Sequence, residues 1–318
     1  MRVLLTGSSG WLGRHLAPLL IAQGHDVVGL DVAPGTHTRI VGSVADRDLV
    51  FQTIAHHGIE AVIHAGALHK PDIARNPRQA FVDTNVTGTL NLLEAAVAAG
   101  HARFLFTSTT SLMVRADVRE GASTEGAWWM DEEFGPLEPR NIYGATKLAA
   151  ENLCRVVSRD SGMAVAILRT GRFFPEDDDT HALPSGPNLK ANELLNRRLT
   201  VEDAALAHLA ALDRIEGCEA FVLSAPPPFT RDEALELARD ARTVVARHFP
   251  DAADLYARQG WVLPERIERV YDPAKAERLL GWRARTDFAS VLAALRQGDP
   301  LPYAHDPAWI SPVLGQAI

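Results

Sequence analysis

Six short apolar runs punctuate the first 170 residues: Val3–Leu5, Val27–Leu30, Ile40–Val41, Ala61–His64, Phe104–Phe106 and Val165–Leu168. None alternates polar with apolar positions, the pattern of strands covered on both faces. Between them, apolar residues recur at three- and four-residue spacing near residues 11–23, 46–57, 78–99 and 141–161, which is the period of a helix with one buried stripe. Parallel strands need a crossover between neighbours, and a helix is the usual one. The alternation therefore predicts an α/β chain built on a doubly wound parallel sheet. With 318 residues and 47% hydrophobic content, the chain has enough apolar surface for one large core or a core with a dependent lobe.

After residue 171 the character changes. Pro, Gly and acidic residues crowd 175–187, Pro226-Pro227-Pro228 makes a stiff connection, and helical patterns lie near 201–215, 231–248 and 287–296. This divides the chain into a sheet domain over 1–170, with returning elements near 201–225, and a smaller C-terminal substrate lobe over 171–318. The acidic run Glu176-Asp177-Asp178-Asp179 reads as a solvated loop, because no neighbouring ligand set completes a metal site. A formal net charge of -8, with no basic run interleaved with aromatics, argues against nucleic acid and anionic membranes as partners. The first residues reach only three apolar positions before Thr6-Gly7, too few for an export signal, and Cys154 and Cys218 lack the close spacing of a redox or metal motif. Both features suggest a cytoplasmic protein with reduced thiols.

The first strand runs into Thr6-Gly7-Ser8-Ser9-Gly10-Trp11-Leu12-Gly13 and then a helical pattern. Glycines there allow a tight turn, close approach of a pyrophosphate to the helix N-terminus, and helix-on-strand packing. Asp31 closes the second strand 18 residues after Gly13, where a carboxylate accepts from both hydroxyls of an adenosine ribose and repels a 2′-phosphate. The reading favours NAD over NADP; the alternative for Asp31 is a turn-starting role before Val32-Ala33-Pro34-Gly35. Asp46 either meets the adenine amino group or caps the following helix.

The chain has four tyrosines, and one of them, Tyr143, precedes Lys147 by one helical turn in Tyr143-Gly144-Ala145-Thr146-Lys147. Residues i and i+4 share a helix face, so the ammonium can approach the phenol and favour phenolate, which makes Tyr143 a usable general base. Upstream, Phe104-Leu105-Phe106 enters Thr107-Ser108-Thr109-Thr110-Ser111. A hydroxyl at that strand end either orients a reacting alcohol against the phenol or merely caps a turn.

The chain resembles an extended short-chain dehydrogenase/reductase of the NAD-dependent epimerase/dehydratase type. The resemblance rests on the glycine turn, Val62 to Ala67, Asn85 to Glu94, Phe104 to Ser111, Tyr143 to Lys147, Val201 to Ala205 and Leu279 to Arg283. It implies a Rossmann fold and bound NAD, with Thr109, Tyr143 and Lys147 as the catalytic residues and Lys147 also holding the nicotinamide ribose. Gly7, Gly10, Trp11, Leu12, Gly13, Ala65, Gly66 and Ala67 would line the cofactor, Asn85 would support its loop, and Arg169 would sit near the nicotinamide. A homodimer packed through two helices, one bearing Tyr143, is also implied.

The implied activity is oxidation of a sugar secondary alcohol, with a nucleotide-sugar epimerase of the 4-epimerase type as the leading form. The chain departs from nucleotide-sugar members after Arg169, reading Thr170-Gly171-Arg172-Phe173-Phe174-Pro175, and the stretch up to Val201 is short. That trimmed lobe favours a dehydrogenase of a smaller unactivated sugar, uronate or hydroxy acid; a non-catalytic NAD-sensing protein is the reading from another class. Thr110, Arg172 and Arg197 are candidate substrate contacts, with Lys190 and Arg198 as further cations, and Arg197-Arg198 could equally be solvated surface. His69 either faces the cleft or is an ordinary loop histidine.

Overall fold

The computed structural model describes residues 1–100, 103–121, 123–176, 184 and 186–311. Asp177–Asp179, the end of the acidic run, lie outside them. The six apolar runs all become strands: β1 (Arg2–Thr6), β2 (Asp26–Asp31), β3 (Thr38–Val41), β4 (Ala61–His64), β5 (Arg103–Thr109) and, after the short β6 (Trp128–Met130), β7 (Ala164–Thr170). With β8 (Cys218–Leu223) they form a seven-stranded sheet in the order β3-β2-β1-β4-β5-β7-β8, every pairing parallel.

Burial on both faces follows from the period of two. Leu5, Ile63, Leu105 and Leu168 pack under α1 (Trp11–Ala22) on one face. Their neighbours Leu4, Val62, Phe104 and Ile167 pack on the other face, under α2 (Arg47–His57) and the helices that follow. The helix expected over 78–99 is three segments: α3 (Arg78–Phe81), a wider π turn (Val82–Thr87) and α4 (Gly88–Ala98). That wide turn buries Asn85, whose amide donates to the Leu68 carbonyl and to Thr146 Oγ1 and accepts from Leu68 N–H.

The remaining helices are α5 (Ala116–Glu120), α6 (Ile142–Ser161), α7 (Gly186–Glu193), α8 (Val201–Arg214), α9 (Ala234–His248), α10 (Ala252–Arg258), α11 (Ala274–Leu280) and α12 (Phe288–Gln297). α8 and α11 pack on the α1 face of the sheet. Leu194, Leu237, Val244, Tyr256 and Phe288 build a separate apolar cluster. A second parallel pair, β6 with β9 (Arg269–Tyr271), lies outside the main sheet.

From β1 the chain runs outward through β2 and β3, then returns to the other side of β1 as β4. The reversal opens a crevice at the C-terminal ends of these strands, where doubly wound sheets bind ligands. No helix among the described residues is long and apolar enough to cross a membrane.

Candidate active site

A cavity of about 1050 Å³ occupies that crevice and extends past the end of β7. At its β1 end the backbone turns through Gly7 at φ +72°, where a Cβ would lie 2.6 Å from the Gly66 nitrogen. At Gly13 a Cβ would lie 2.1 Å from the Gly7 carbonyl oxygen. Both positions exclude any side chain. α1 starts at Trp11 with no side-chain cap on its first turn, so its N–H groups and dipole are available to an anion.

Asp31, 6% exposed, lines the same end; its carboxylate accepts from Ser9 N–H at 2.9 Å and Ala33 N–H at 3.0 Å. Burial pushes its carboxyl above the usual range. Gly10, Trp11, Leu12, Ala65, Gly66 and Ala67 also line the cavity. A glycine turn without room for side chains, an uncapped helix start and a fixed carboxylate at the next strand end fit a dinucleotide. Asp46 caps α2 by accepting from Leu49 N–H at 3.0 Å, and neither it nor Asn85 lines the cavity.

At the β5 end, Thr109 and Thr110 line the cavity together with Tyr143 and Lys147. α6 is started by Asn141, whose side chain accepts from Gly144 N–H at 2.9 Å, and this sets Tyr143 in the first turn. Thr109 lies near enough to the Tyr143 phenol to favour phenolate, against the larger opposing effect of burial. Lys147 is 3% exposed; its Nζ donates to the Thr107 carbonyl at 2.8 Å and sits 4.5 Å from the Phe106 ring centroid.

The expected acidic phenol is not produced by these groups themselves. Burial raises Tyr143 to about 12 and lowers Lys147 to about 7, because both environments disfavour charge. Thr110 Oγ1 donates to the Thr170 carbonyl at 3.2 Å.

Behind this row lies a buried ion pair. Glu151, one turn beyond Lys147, accepts from Ser108 Oγ at 2.6 Å and from Arg169 Nη2 at 2.8 Å. Arg169, expected beside the nicotinamide, is absent from the cavity lining: alternation along β7 aims it at α6 while Thr170 meets the cavity.

Beyond β7, His69 lines the cavity, pairs through Nδ1 with Asp72 at 2.6 Å and packs its ring 4.9 Å from Phe174. Arg172 and Arg197 also line it, the first 3.8 Å from Glu176 and the second 3.1 Å from Glu193. Arg198 and Lys190 do not serve as free cations. Arg198 is 2% exposed, paired with Glu193 at 2.9 Å and bonded to the Phe174 carbonyl, while Lys190 is 3% exposed, bonded to the Pro175 carbonyl and to His305.

Sequence reasoning missed Arg119, Arg140, Arg269 and Trp309, all of which line the cavity. Arg269 is 9% exposed, and its Nε is buried without a hydrogen-bond partner among the described residues. Burial and the neighbouring Arg197 and Arg119 guanidiniums push Arg269 down; burial and Arg119 do the same to Arg140. Nothing in the local sequence marks these positions except, for Arg140, its place just before Asn141-Ile142-Tyr143. Among the described residues, no group of three or more His, Cys, Asp or Glu side chains could hold a metal ion.

The UDP-glucose 4-epimerase of Rhizobium meliloti (strain 1021) is 28% identical to the chain over 328 residues, covering 91% of the chain and 94% of that protein. The solved UDP-glucose 4-epimerase of Thermotoga maritima with UDP-glucose is similar in fold, with a TM-score of 0.66 at 20% identity over 94% of this chain and 99% of that one. A mutated uronate dehydrogenase has a TM-score of 0.62 at 21% identity over 98% and 91% respectively. A model of the NAD dependent epimerase/dehydratase family matches residues 3–223. The chain therefore belongs to the NAD dependent epimerase/dehydratase family of enzymes.

Proposed function

We propose that the chain oxidises a secondary alcohol of a sugar, and that the alcohol is carried by a nucleotide sugar epimerised at that carbon. The observation that carries the reading is the Thr109–Tyr143–Lys147 row facing the same cavity as the glycine turn. Gly7, Gly10, Trp11, Leu12, Gly13, Asp31, Ala65, Gly66 and Ala67 would hold NAD, with Lys147 at its nicotinamide ribose. Bound NAD supplies the hydride acceptor and a positively charged ring.

The chain's own part is proton transfer and orientation. Thr109 holds the substrate hydroxyl against Tyr143, and Tyr143 takes its proton. From about 12 the phenol must come down roughly five units to act near neutral pH, about 7 kcal/mol of preference for phenolate. Positive charge would do this: the ring of bound NAD, joined by Lys147 where it is protonated. The Lys147 ammonium is kept in place by the Thr107 carbonyl and the face of Phe106, and Glu151 offsets part of its burial.

Arg119, Arg140 and Arg269 support an anionic substituent on the substrate. A chain of net charge -8 collects three guanidiniums in one cavity without an acidic partner for them among the described residues. Such repulsion is relieved by a ligand carrying more than one negative charge, as a diphosphate does. Arg172, Arg197, Thr110 and His69 would complete the substrate end.

A second reading, dehydrogenation of a smaller sugar acid, is favoured by the inward packing of residues 188–196, which leaves few groups there to grip a nucleoside. The test is a panel of nucleotide sugars and free sugar acids with NAD, reading NADH and product stereochemistry together. Inverted product without net NADH supports epimerisation, stoichiometric NADH supports the dehydrogenase, and binding of NAD with no turnover on any substrate supports the sensor. A homodimer through the outer faces of α4 and α6 would cover Val97 and Val156, which are 39% and 42% exposed.

A further inference from the structure

The cavity wall over the glycine turn is completed by the C-terminal segment, for which no motif accounts. After α12 the chain is tied to the smaller lobe at three points. Tyr303 Oη donates to the Pro187 carbonyl at 2.7 Å, His305 Nδ1 lies 2.8 Å from Lys190 Nζ, and Asp306 N–H donates to the Pro175 carbonyl at 3.0 Å. From these anchors the segment crosses to the sheet domain. There Trp309 meets Trp11 edge-on, with ring centroids 5.6 Å apart and planes at 67°. Its other side meets Phe174 at 6.0 Å. Trp309 and Ser311 line the cavity together with Gly7, Gly10 and Gly13.

Trp11 is the first residue of α1, so its ring stands at the uncapped helix start. Its indole Nε1 is buried without a hydrogen-bond partner among the described residues. A residue from near the chain's end thus bridges the two walls of the dinucleotide groove at the turn itself. The three anchors hold the chain ahead of Trp309, whose ring meets Trp11 and Phe174, so lifting Trp309 breaks two aromatic contacts while leaving the anchors in place.

We propose that Trp309 is a cofactor-retaining residue: with Trp11 and Phe174 it closes the glycine-turn end of the groove, and the dinucleotide leaves only when the segment ahead of Trp309 swings away. The inference rests on the dinucleotide assignment of the groove and is independent of the sugar chemistry. An aromatic contact of this kind corresponds to roughly tenfold in an equilibrium or release rate.

The test loads the full-length protein with NADH, mixes it with excess NAD in a stopped-flow fluorimeter and follows loss of bound-nicotinamide emission, with no sugar present. Trp309→Ala is expected to release NADH about tenfold faster, and Trp309→Phe, which keeps a ring between Trp11 and Phe174, to restore most of the parent rate. Release from Trp309→Ala within about twofold of the parent overturns the proposal. A parent protein that binds no NADH refutes the dinucleotide assignment itself, a different result from parent binding with unaltered release.

Discussion

Replacing Lys147 by Met should strengthen the fold in mild acid while abolishing turnover. Lys147 is 3% exposed, and burial lowers it from 10.5 to about 7. Between those values the unfolded chain carries the proton and the folded chain does not. Unfolding therefore takes up a proton, and stability rises with pH across that window. Below about 7 both states are protonated, and the fold bears the full penalty of a buried ammonium, about 5 kcal/mol for roughly 3.5 units.

Methionine keeps the packing on Phe106 but leaves the Thr107 carbonyl without its donor, a loss of about 1–3 kcal/mol. The net at pH 6 is a gain of about 2–4 kcal/mol for Lys147→Met. By pH 9 the parent has recovered about 3 kcal/mol, and the two proteins should be nearly equal. Urea denaturation at both pH values, without added nucleotide, measures the difference of differences, in which other titrating groups cancel. A parent-to-variant gap that is the same at pH 6 and pH 9 would refute the reasoning. A stabilised but inactive variant would show that the charge is kept for chemistry at the expense of the fold.

Three further outcomes follow from the geometry. Tyr143→Phe should lower kcat by about 10²–10⁴ while NADH affinity, measured by fluorescence titration, stays at the parent value; full activity would remove the phenol from the mechanism. Glu151→Gln should cost about 3–5 kcal/mol in urea denaturation, because it strands the Arg169 guanidinium, 1% exposed, without its anion. Arg269→Met should raise KM for an anionic substrate about tenfold or more at nearly constant kcat, and should leave the unfolding midpoint level or higher, since it deletes a buried cation with no acidic partner.

Much of the architecture was readable because one physical requirement governs it. Strands sandwiched between helix layers must be apolar on both faces, so Val3–Leu5, Ala61–His64 and Phe104–Phe106 stand out as unbroken runs, and the helices between them carry single buried stripes. β8 carries the same signal only from Ala220 onward, because Cys218 and Glu219 at its start are half-buried, so its sequence marks a return to the sheet without marking a strand. The π turn at Val82–Thr87 was invisible for another reason. Its residues keep helical spacing, and the widening comes from Asn85 reaching for both backbone groups of Leu68, a contact with a loop 17 residues away.

The site divides along the same line. The glycine turn and the Tyr143–Lys147 spacing are local, so the sequence displays them. The substrate end is assembled from α5, the residue before the α6 cap, the turn after α7, β9 and the last residues described, and only the fold places Arg119, Arg140, Arg197, Arg269 and Trp309 in one cavity. Proximity in the chain misleads in the opposite direction too. Arg169 and Thr170 are neighbours, yet strand alternation sends one to Glu151 behind the sheet and the other to the cavity. Lys190 and Arg198 have the right charge for a phosphate, but each is already engaged by a backbone carbonyl of Phe174 or Pro175. A cation is freest to meet a ligand where the chain leaves one of its donors unanswered, and in this cavity Arg269 Nε meets that condition among the described residues because β9 carries it to the wall while Glu193 is already taken by Arg197 and Arg198.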